Sequence, residues 1–549
     1  MPNRTFRGLI LLITMLSAAA LACSLNIGDG PPNNAVIVRV VANASLEDWL
    51  TQAATDFNER ELETSEGRPA YVELELVEAG RFVADVANGE ALPDIWIPDQ
   101  EVWTGVLAEQ GYNEFSADCQ SVAESPLVIA MWRQVAQSLG WPGLDLGWLD
   151  VGSLAADPSA WAYYSGGEFG DSLRLGHTHP GLSGSGAATL LAIVQAAEAQ
   201  REAVTPADIA QPIVQASVSA FEAAVATFAS NTVALGVDMS ERGPAYLGAA
   251  VMYENIVVTE GQGNLVPIYP LEGTFVATHP ACISAAANPE LGEAADLFRA
   301  FLLEGETQQA AVANGLRPVV DTVSLATPLV EANGVEASEP ERVFASPSVD
   351  TIYAVQELWQ AARKDVNLVM LIDVSGSMRG DKIDNVRRAA VEFVQQMGDD
   401  DLLTIIAFSH ELTLLSDHTQ VGPNREALVN AIRSLDAAGD TALYDAIGLG
   451  AEQIAATSAP DTANALVVLT DGQDTFSFRY TFNQSLIDLA AANDTTVFTI
   501  AYGDDADRDI LETLALGANG NFYLGDAASI AAIYEEMSAA FGGTVGVGR

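Results

Sequence analysis

The sequence predicts an α/β protein of two domains, a larger one over residues 35–327 and a second, doubly wound around a mostly parallel sheet, over residues 365–545. Three observations carry this. Short apolar runs suited to buried strands alternate with helical patterns along almost the whole chain. Hydrophobic residues make up 49% of 549, enough to fill more than one core in a chain too long for a single one. Between Pro328 and Asp350 the composition turns rich in Ala, Glu, Ser and Pro, which reads as an interdomain linker; with the helical stretch Tyr353 to Arg363 it makes up residues 328–364.

The chain opens with Arg4 and Arg7, an apolar stretch from Leu9 to Leu16, and small residues up to Cys23, the three-part logic of an export signal over residues 1–23. The apolar run is too short for a comfortable membrane span. Ala20-Leu21-Ala22-Cys23 resembles the cleavage box of bacterial lipoproteins, whose cysteine is acylated, although Leu is the commoner residue where Ala20 stands. An ordinary signal peptide cut near Cys23 is the alternative. Either reading puts the protein outside the cytoplasm, anchored to the cell membrane by lipid in the first case and secreted in the second. No later stretch reaches spanning length, and residues 24–34, with Gly28, Gly30, Pro31 and Pro32, read as a spacer.

Seventy-four acidic against 24 basic residues give a net charge of −50, which repels nucleic acid and anionic headgroups and excludes a nucleic-acid partner. Beyond Cys23 the cysteines are Cys119 and Cys282. In an oxidising compartment a disulfide is the simplest account of such a pair, with two unrelated buried thiols as the alternative.

In the first domain Ala35 to Ala42 reads as a buried parallel strand, followed by Ser45 as a helix cap and a helix with Leu46, Leu50, Ala53, Ala54 and Phe57 on its apolar face. Tyr71 to Val77 alternates as a strand, Phe82 to Ala87 suggests a short helix, and Asp94 to Pro98 is a strand ending at a polar loop. Further on, Gly181-Leu182-Ser183-Gly184-Ser185-Gly186 opens a helix from Ala187 to Ala196 whose free amides suit an anion or carboxylate ligand. The same segment faintly matches a nucleophile elbow, without the last glycine in register and without assignable His and acid partners.

Pro93-Asp94-Ile95-Trp96-Ile97-Pro98, Ser125 to Met131, His179 to Gly186, Tyr253-Glu254-Asn255, Gly273 to Ala277 and Gly315-Leu316-Arg317-Pro318 follow one another in an order that resembles the extracytoplasmic solute-binding proteins of bacterial ABC transporters. The resemblance implies a two-lobed, periplasmic-binding-protein-like fold of type 2, with the chain crossing between lobes near Ser125 and returning near Thr274. Cys119 and Cys282 then meet at the hinge, where a disulfide would steady it. By the same analogy, loops carrying Asn43, Asp99, Ser125, Ser183 and Tyr253 line a cleft for a small solute, although each residue also reads as a polar helix cap.

In the second domain the apolar strand Val366 to Ile372 runs into Asp373-Val374-Ser375-Gly376-Ser377-Met378 and then a helix burying Ile383, Val386, Ala390, Phe393, Val394 and Met397. Ligands of parallel sheets sit at such carboxyl ends of strands. Asp-x-Ser-x-Ser here resembles the opening of the metal-ion-dependent adhesion site of von Willebrand factor A (VWFA) domains. Thr441, in Gly439-Asp440-Thr441, and Asp471, after the strand Ala465 to Leu469, complete that pattern. Strands at Leu402 to Phe408 and Thr496 to Ala501 and a last helix around Ile530 to Met537 fit the same fold.

The resemblance implies one divalent cation, Mg²⁺ first and Mn²⁺ or Ca²⁺ as alternatives. Ser375, Ser377 and Thr441 would touch it directly, Asp373 and Asp471 mainly through water. Hydroxyls and carboxylates are the hard oxygen donors such an ion needs. Two anionic groups leave it under-neutralised, so that an acidic side chain of a protein partner can take the open position. As helix caps and strand-end solvation the five residues would have no common purpose. Asp504, Asp505, Asp507 and Asp509 lack the glycine and terminal Glu of a calcium loop and read as a solvated helix start.

None of the five histidines, His177, His179, His279, His410 and His418, lies in a zinc-enzyme spacing. The expectation is therefore a tethered, non-enzymatic binding protein. A transport receptor feeding a permease is the alternative, and a hydrolase built on the Gly/Ser loop stands behind both.

Overall fold

The computed structural model describes residues 30–543 apart from 116–117, 200–201 and 460–461; the expected export signal and Cys23 lie outside the described residues. The first sheet is built on β1 (Val36–Ala42), parallel to β2 (Ala70–Leu76) on one side and β3 (Ile95–Ile97) on the other. β4 (Cys119–Ser121) lies at its far edge, and the chain then crosses into a second sheet. There β5 (Ser125–Trp132) is joined by β6 (Leu175–Thr178), β7 (Val225–Ala229), β8 (Ala249–Tyr253), β9 (Leu265–Ile268) and the short β10 (Val276–Ala277), in the order β10-β5-β8-β6-β7 with β9 also on β5. β11 (Pro280–Ile283) returns and inserts antiparallel between β3 and β4, giving β2-β1-β3-β11-β4.

Two lobes with two crossings follow, as the resemblance implied. Cys119 and Cys282 are register partners on β4 and β11 and are disulfide-bonded. The bond thus lies inside the first lobe, across the two strands that lead into and out of the crossings.

The first lobe's core is aromatic. Phe57, on the helix Glu47–Glu59, meets Phe298 and Phe301 of the helix Pro289–Leu302 edge-on at 5.1 and 5.5 Å. One expected cap is corrected: Ser45 lies inside a 3-10 turn, and Asn43 is the residue that caps it. Asn43 Oδ1 accepts from the Ser45 amide at 3.0 Å and from its hydroxyl at 2.6 Å.

In the second lobe the helix Gly184–Glu198 is buried along almost its whole length. A Cβ on Gly186 would lie 2.2 Å from the Thr178 carbonyl oxygen of β6, so only glycine permits this packing. Gly186→Ala is expected to cost about 1–3 kcal/mol by overpacking, read as a lower melting temperature; an unchanged melt would contradict this close approach.

The expected linker is folded onto the first domain. Thr274 bridges Val343, and Phe344 packs edge-on against Phe275 at 5.3 Å. Arg317, paired with the buried Glu254 at 2.7 Å, donates to the backbone carbonyls of Glu336 and Glu339. Its Pro-rich composition signals the lack of regular structure; tertiary contacts bind it down. The following helix, Val349–Ala362, packs on the second lobe, where Trp359 Nε1 donates to Glu222 at 3.0 Å.

The second domain's sheet runs β14-β13-β12-β15-β16-β17, with β12 (Asp365–Asp373), β13 (Leu402–Phe408), β14 (Leu412–Gln420), β15 (Thr462–Thr470), β16 (Thr496–Tyr502) and β17 (Phe522–Gly525). Only β14 is antiparallel, a hairpin partner of β13. Along β12, Leu368, Met370 and Ile372 enter one core while Val369 and Leu371 enter the other, the two-sided burial of a doubly wound sheet. The last helix, Ile530–Ala540, covers one face and touches both lobes of the first domain: Glu535 pairs with Arg81, and just beyond the helix the Gly543 carbonyl accepts from His179 Nε2 at 2.8 Å.

Candidate functional site

β12 and β15 end side by side in the middle of the second sheet, so Asp373 and the segment Thr470-Asp471 emerge together at their carboxyl ends. Ser375 and Ser377 belong to the turn before the helix Asp381–Gln396, and their hydroxyls are 2.9 Å apart. Ser377 donates to Asp471 Oδ1 at 2.6 Å. Thr441 comes from the loop before the helix Leu443–Thr457. That loop is tied to the first by the Gly376 amide, which donates to the Gly439 carbonyl at 2.9 Å. A Cβ added at Gly472 would lie 3.7 Å from Thr441 Oγ1 and 3.9 Å from Ser377 Oγ, so both hydroxyls face the same small space. The five residues expected from sequence therefore converge.

The carboxylates differ in what holds them. Asp373 accepts the Ser375 amide on Oδ1 at 2.7 Å and the Thr470 hydroxyl on Oδ2 at 2.5 Å, so its oxygens are already engaged. Burial pushes its carboxyl above the usual range, against the pull of those hydrogen bonds. Asp471 is fully buried, and Lys382 Nζ sits 2.5 Å from its Oδ2. Among the described residues no three His, Cys, Asp or Glu cluster to hold a metal, so a cation here depends on the hydroxyls, which suit a hard ion. This donor set fits the ion.

Sequence reasoning missed Thr470 and Lys382. A lysine in a helix's first turn works against the helix dipole, and that oddity was the available signal of an acidic neighbour.

The other expected residues meet between the lobes. Asn43, Asp99, Ser125, Ser183 and Tyr253 are all buried. Tyr253 of the second lobe donates to Asp99 Oδ2 of the first at 2.5 Å. Glu78, which the sequence reading passed over, joins the lobes: Asn43 Nδ2 donates to its Oε2 at 3.0 Å and Ser183 Oγ at 2.9 Å, while the Thr232 amide and hydroxyl reach Oε1 at 3.2 and 3.3 Å. Its signal was slight, a Glu at the N-cap of Ala79–Ala87 where a shorter polar residue is usual. Ser125 belongs to a neighbouring cluster, donating to Asn255 Oδ1 at 2.9 Å.

Burial raises Glu78 to about 7, helped by repulsion from Asp99, and raises Asp99 to about 6. The amides opening the helix at Gly184 were expected to face an anionic ligand. The protein's own carboxylate lies against that helix start instead, for a Cβ on Gly184 would lie 1.9 Å from Asp99 Oδ2. Ser183 has Glu78 and Ser185 as hydrogen-bond partners, not an imidazole.

Comparison with known proteins agrees with this architecture. The family model for bacterial extracellular solute-binding proteins matches residues 38–317, about half of the chain, and that for the von Willebrand factor type A domain matches residues 367–536. An uncharacterized protein of Synechocystis, sll0103, is 33% identical over 162 residues, 29% of this chain and 37% of its own, so the chain spans well under half of that relative. Among solved structures, the periplasmic binding protein AfuA from Actinobacillus pleuropneumoniae, with exogenous fructose-6-phosphate bound, aligns over 59% of this chain and 98% of its own at 13% identity and a TM-score of 0.42. A von Willebrand factor type A protein from Catenulispora acidiphila aligns over 32% of this chain and 42% of its own at 23% identity and a TM-score of 0.30. Among the described residues no helix is long and apolar enough to cross a membrane. With the two-lobed fold and the strand-end hydroxyl cluster described, the chain belongs to the bacterial extracellular solute-binding proteins and carries a von Willebrand factor type A domain after the solute-binding one.

Proposed function

We propose that this protein is an extracytoplasmic binding protein, tethered through lipid on Cys23, whose second domain captures a partner protein through a divalent cation while the first holds a small solute. Ser375, Ser377 and Thr441 would hold the ion, Mg²⁺ foremost, with Asp373 and Asp471 orienting them and supplying negative charge. When bound, the cation supplies a Lewis-acidic position for an acidic side chain of the partner. The observation that carries the reading is the convergence of these five residues, from three separate loops, at the carboxyl ends of β12 and β15. Asp373 orders the site by gripping the Ser375 amide and the Thr470 hydroxyl.

Calorimetric titration of Mg²⁺, Mn²⁺ and Ca²⁺ tests this. Wild type is expected to bind one cation and Asp373→Ala at least tenfold more weakly, a change of about 1.4 kcal/mol or more. A wild type that binds none of the three ions sinks the reading. The polar cluster buried between two lobes favours a second role, that of receptor delivering its solute to a permease; ligand-induced lobe closure, followed by small-angle scattering, would support it.

A further inference from the structure

We propose that the interlobe cleft takes an organic cation, a short di- or triamine, and rejects oxyanions; this rests on reading the first domain as solute-binding. At the cleft floor the place where a helix N-terminus would meet an anion is taken by the protein's own carboxylates. Asp99 lies against Gly184, and Ser183 donates to Glu78. An arriving oxyanion would meet two buried acids there, which costs far more than it gains from the amides.

Among the described residues the same floor lacks a positive charge. Each hydrogen bond to Glu78 comes from a neutral donor: Asn43, Ser183 and Thr232. Asp99 receives the Tyr253 hydroxyl on Oδ2; its Oδ1 is buried and, among the described residues, has no well-aligned hydrogen bond, only the neutral amides of Asp99 and Gln100 beside the carboxylate. His279, fully buried beside Tyr253, has only the Pro98 carbonyl near its ring and, among the described residues, no donor to its acceptor nitrogen. Burial pushes its imidazole down to about 3, so it is neutral and offers an acceptor nitrogen. Orphaned acceptors of this kind are paid for when an N–H donor arrives, and an ammonium brings three together with the missing charge.

The cleft has a second acidic tier. A cavity of about 200 Å³ opens between the lobes, with Glu47 and Asp48 on the first-lobe side and Glu260 on the second. Among the described residues no Lys, Arg or His lines it. Burial raises Glu47 and Glu260, and repulsion from Asp48 adds to both. The tiers are joined through Asn43, which donates to Glu78 and accepts from Ser45, itself on the cavity wall. A ligand with ammonium groups at both ends of a short methylene chain would set one among Glu47, Asp48 and Glu260 and, as the lobes part, bring the other to the floor that is closed in this structure.

Calorimetry on the full-length protein in 150 mM salt and saturating Mg²⁺ would use putrescine and spermidine as probes, with phosphate, sulfate and glucose beside them. One amine is expected to bind wild type with 1:1 stoichiometry and Asp99→Asn and Glu78→Gln at least tenfold more weakly, both variants keeping the wild-type far-UV spectrum. Asp373→Ala, altered only at the cation site, is expected to bind the amine as wild type does. Specific binding of phosphate, sulfate or glucose in place of the amines overturns the cation assignment and leaves the solute-binding reading standing. Amine binding that both cleft variants retain is surface attraction to an acidic protein and overturns the assignment too. If no probe of any class binds, both fall.

Discussion

Replacing Cys119 and Cys282 together by serine is expected to lower the stability of the first domain by about 3–5 kcal/mol, the range for a disulfide that closes a long loop. The residues it joins are 163 apart in sequence, so the closed loop contains the whole second lobe. Without the bond, the three-residue edge strand β4 keeps only its pairing with β11, and both crossings lose their fixed start. Urea unfolding of wild type, wild type with reductant and the double variant checks this. The last two should coincide at a lower midpoint; a double variant as stable as oxidised wild type would mean that the sheet alone fixes the crossings.

Raising the pH from 5 to 8 is expected to cost wild type the stability that protonated Glu78 contributes, about 3 kcal/mol at most, and Glu78→Gln is expected to remove most of that share. The sign follows from the direction of the shift. Glu78 titrates near 7 when buried against an ordinary value of 4.5, so the folded state holds its proton more tightly than the unfolded chain. Stability from this group is complete below about 4.5 and is lost as the pH rises through 7. Asp99, raised to about 6, acts in the same direction. Glu536 in the second domain is also raised to about 7, and the buried His179 and His279, lowered to about 3, act in the opposite direction, so the difference between variant and wild type is what isolates Glu78. Melting temperatures of both proteins across pH 5–8 provide the test; equal pH slopes would place Glu78 in a wetter site than the one described. The same substitution would weaken the proposed amine, a residue kept at a cost to stability because it binds.

The residues of the proposed cation site were legible because the motif is local. Asp373, Ser375 and Ser377 lie within five residues, and a strand running into a helix places such a segment at a sheet's carboxyl end. The cleft was legible only in part. Asn43, Asp99, Ser183 and Tyr253 sit where loops follow strands, a position readable from hydrophobic pattern. Glu78 and His279 sit at no recognisable motif, and their importance comes from what faces them across the lobes. The linker's docking was not legible, because composition reports a lack of regular structure and says nothing of tertiary contacts.

By itself the sequence determined the two-domain α/β plan, the strands that fill both faces of the second sheet, and the oxygen-donor set at its carboxyl end. Periodicity, strand-end chemistry and composition are properties of neighbouring residues, and a chain displays those directly. Only the tertiary structure decided that Cys119 and Cys282 pair within one lobe, that Lys382 reaches Asp471, and that the cleft floor holds two carboxylates without a cation. Each of these joins or opposes groups distant in sequence, and burial then turns an ordinary polar side chain into one whose charge and missing partner carry a cost.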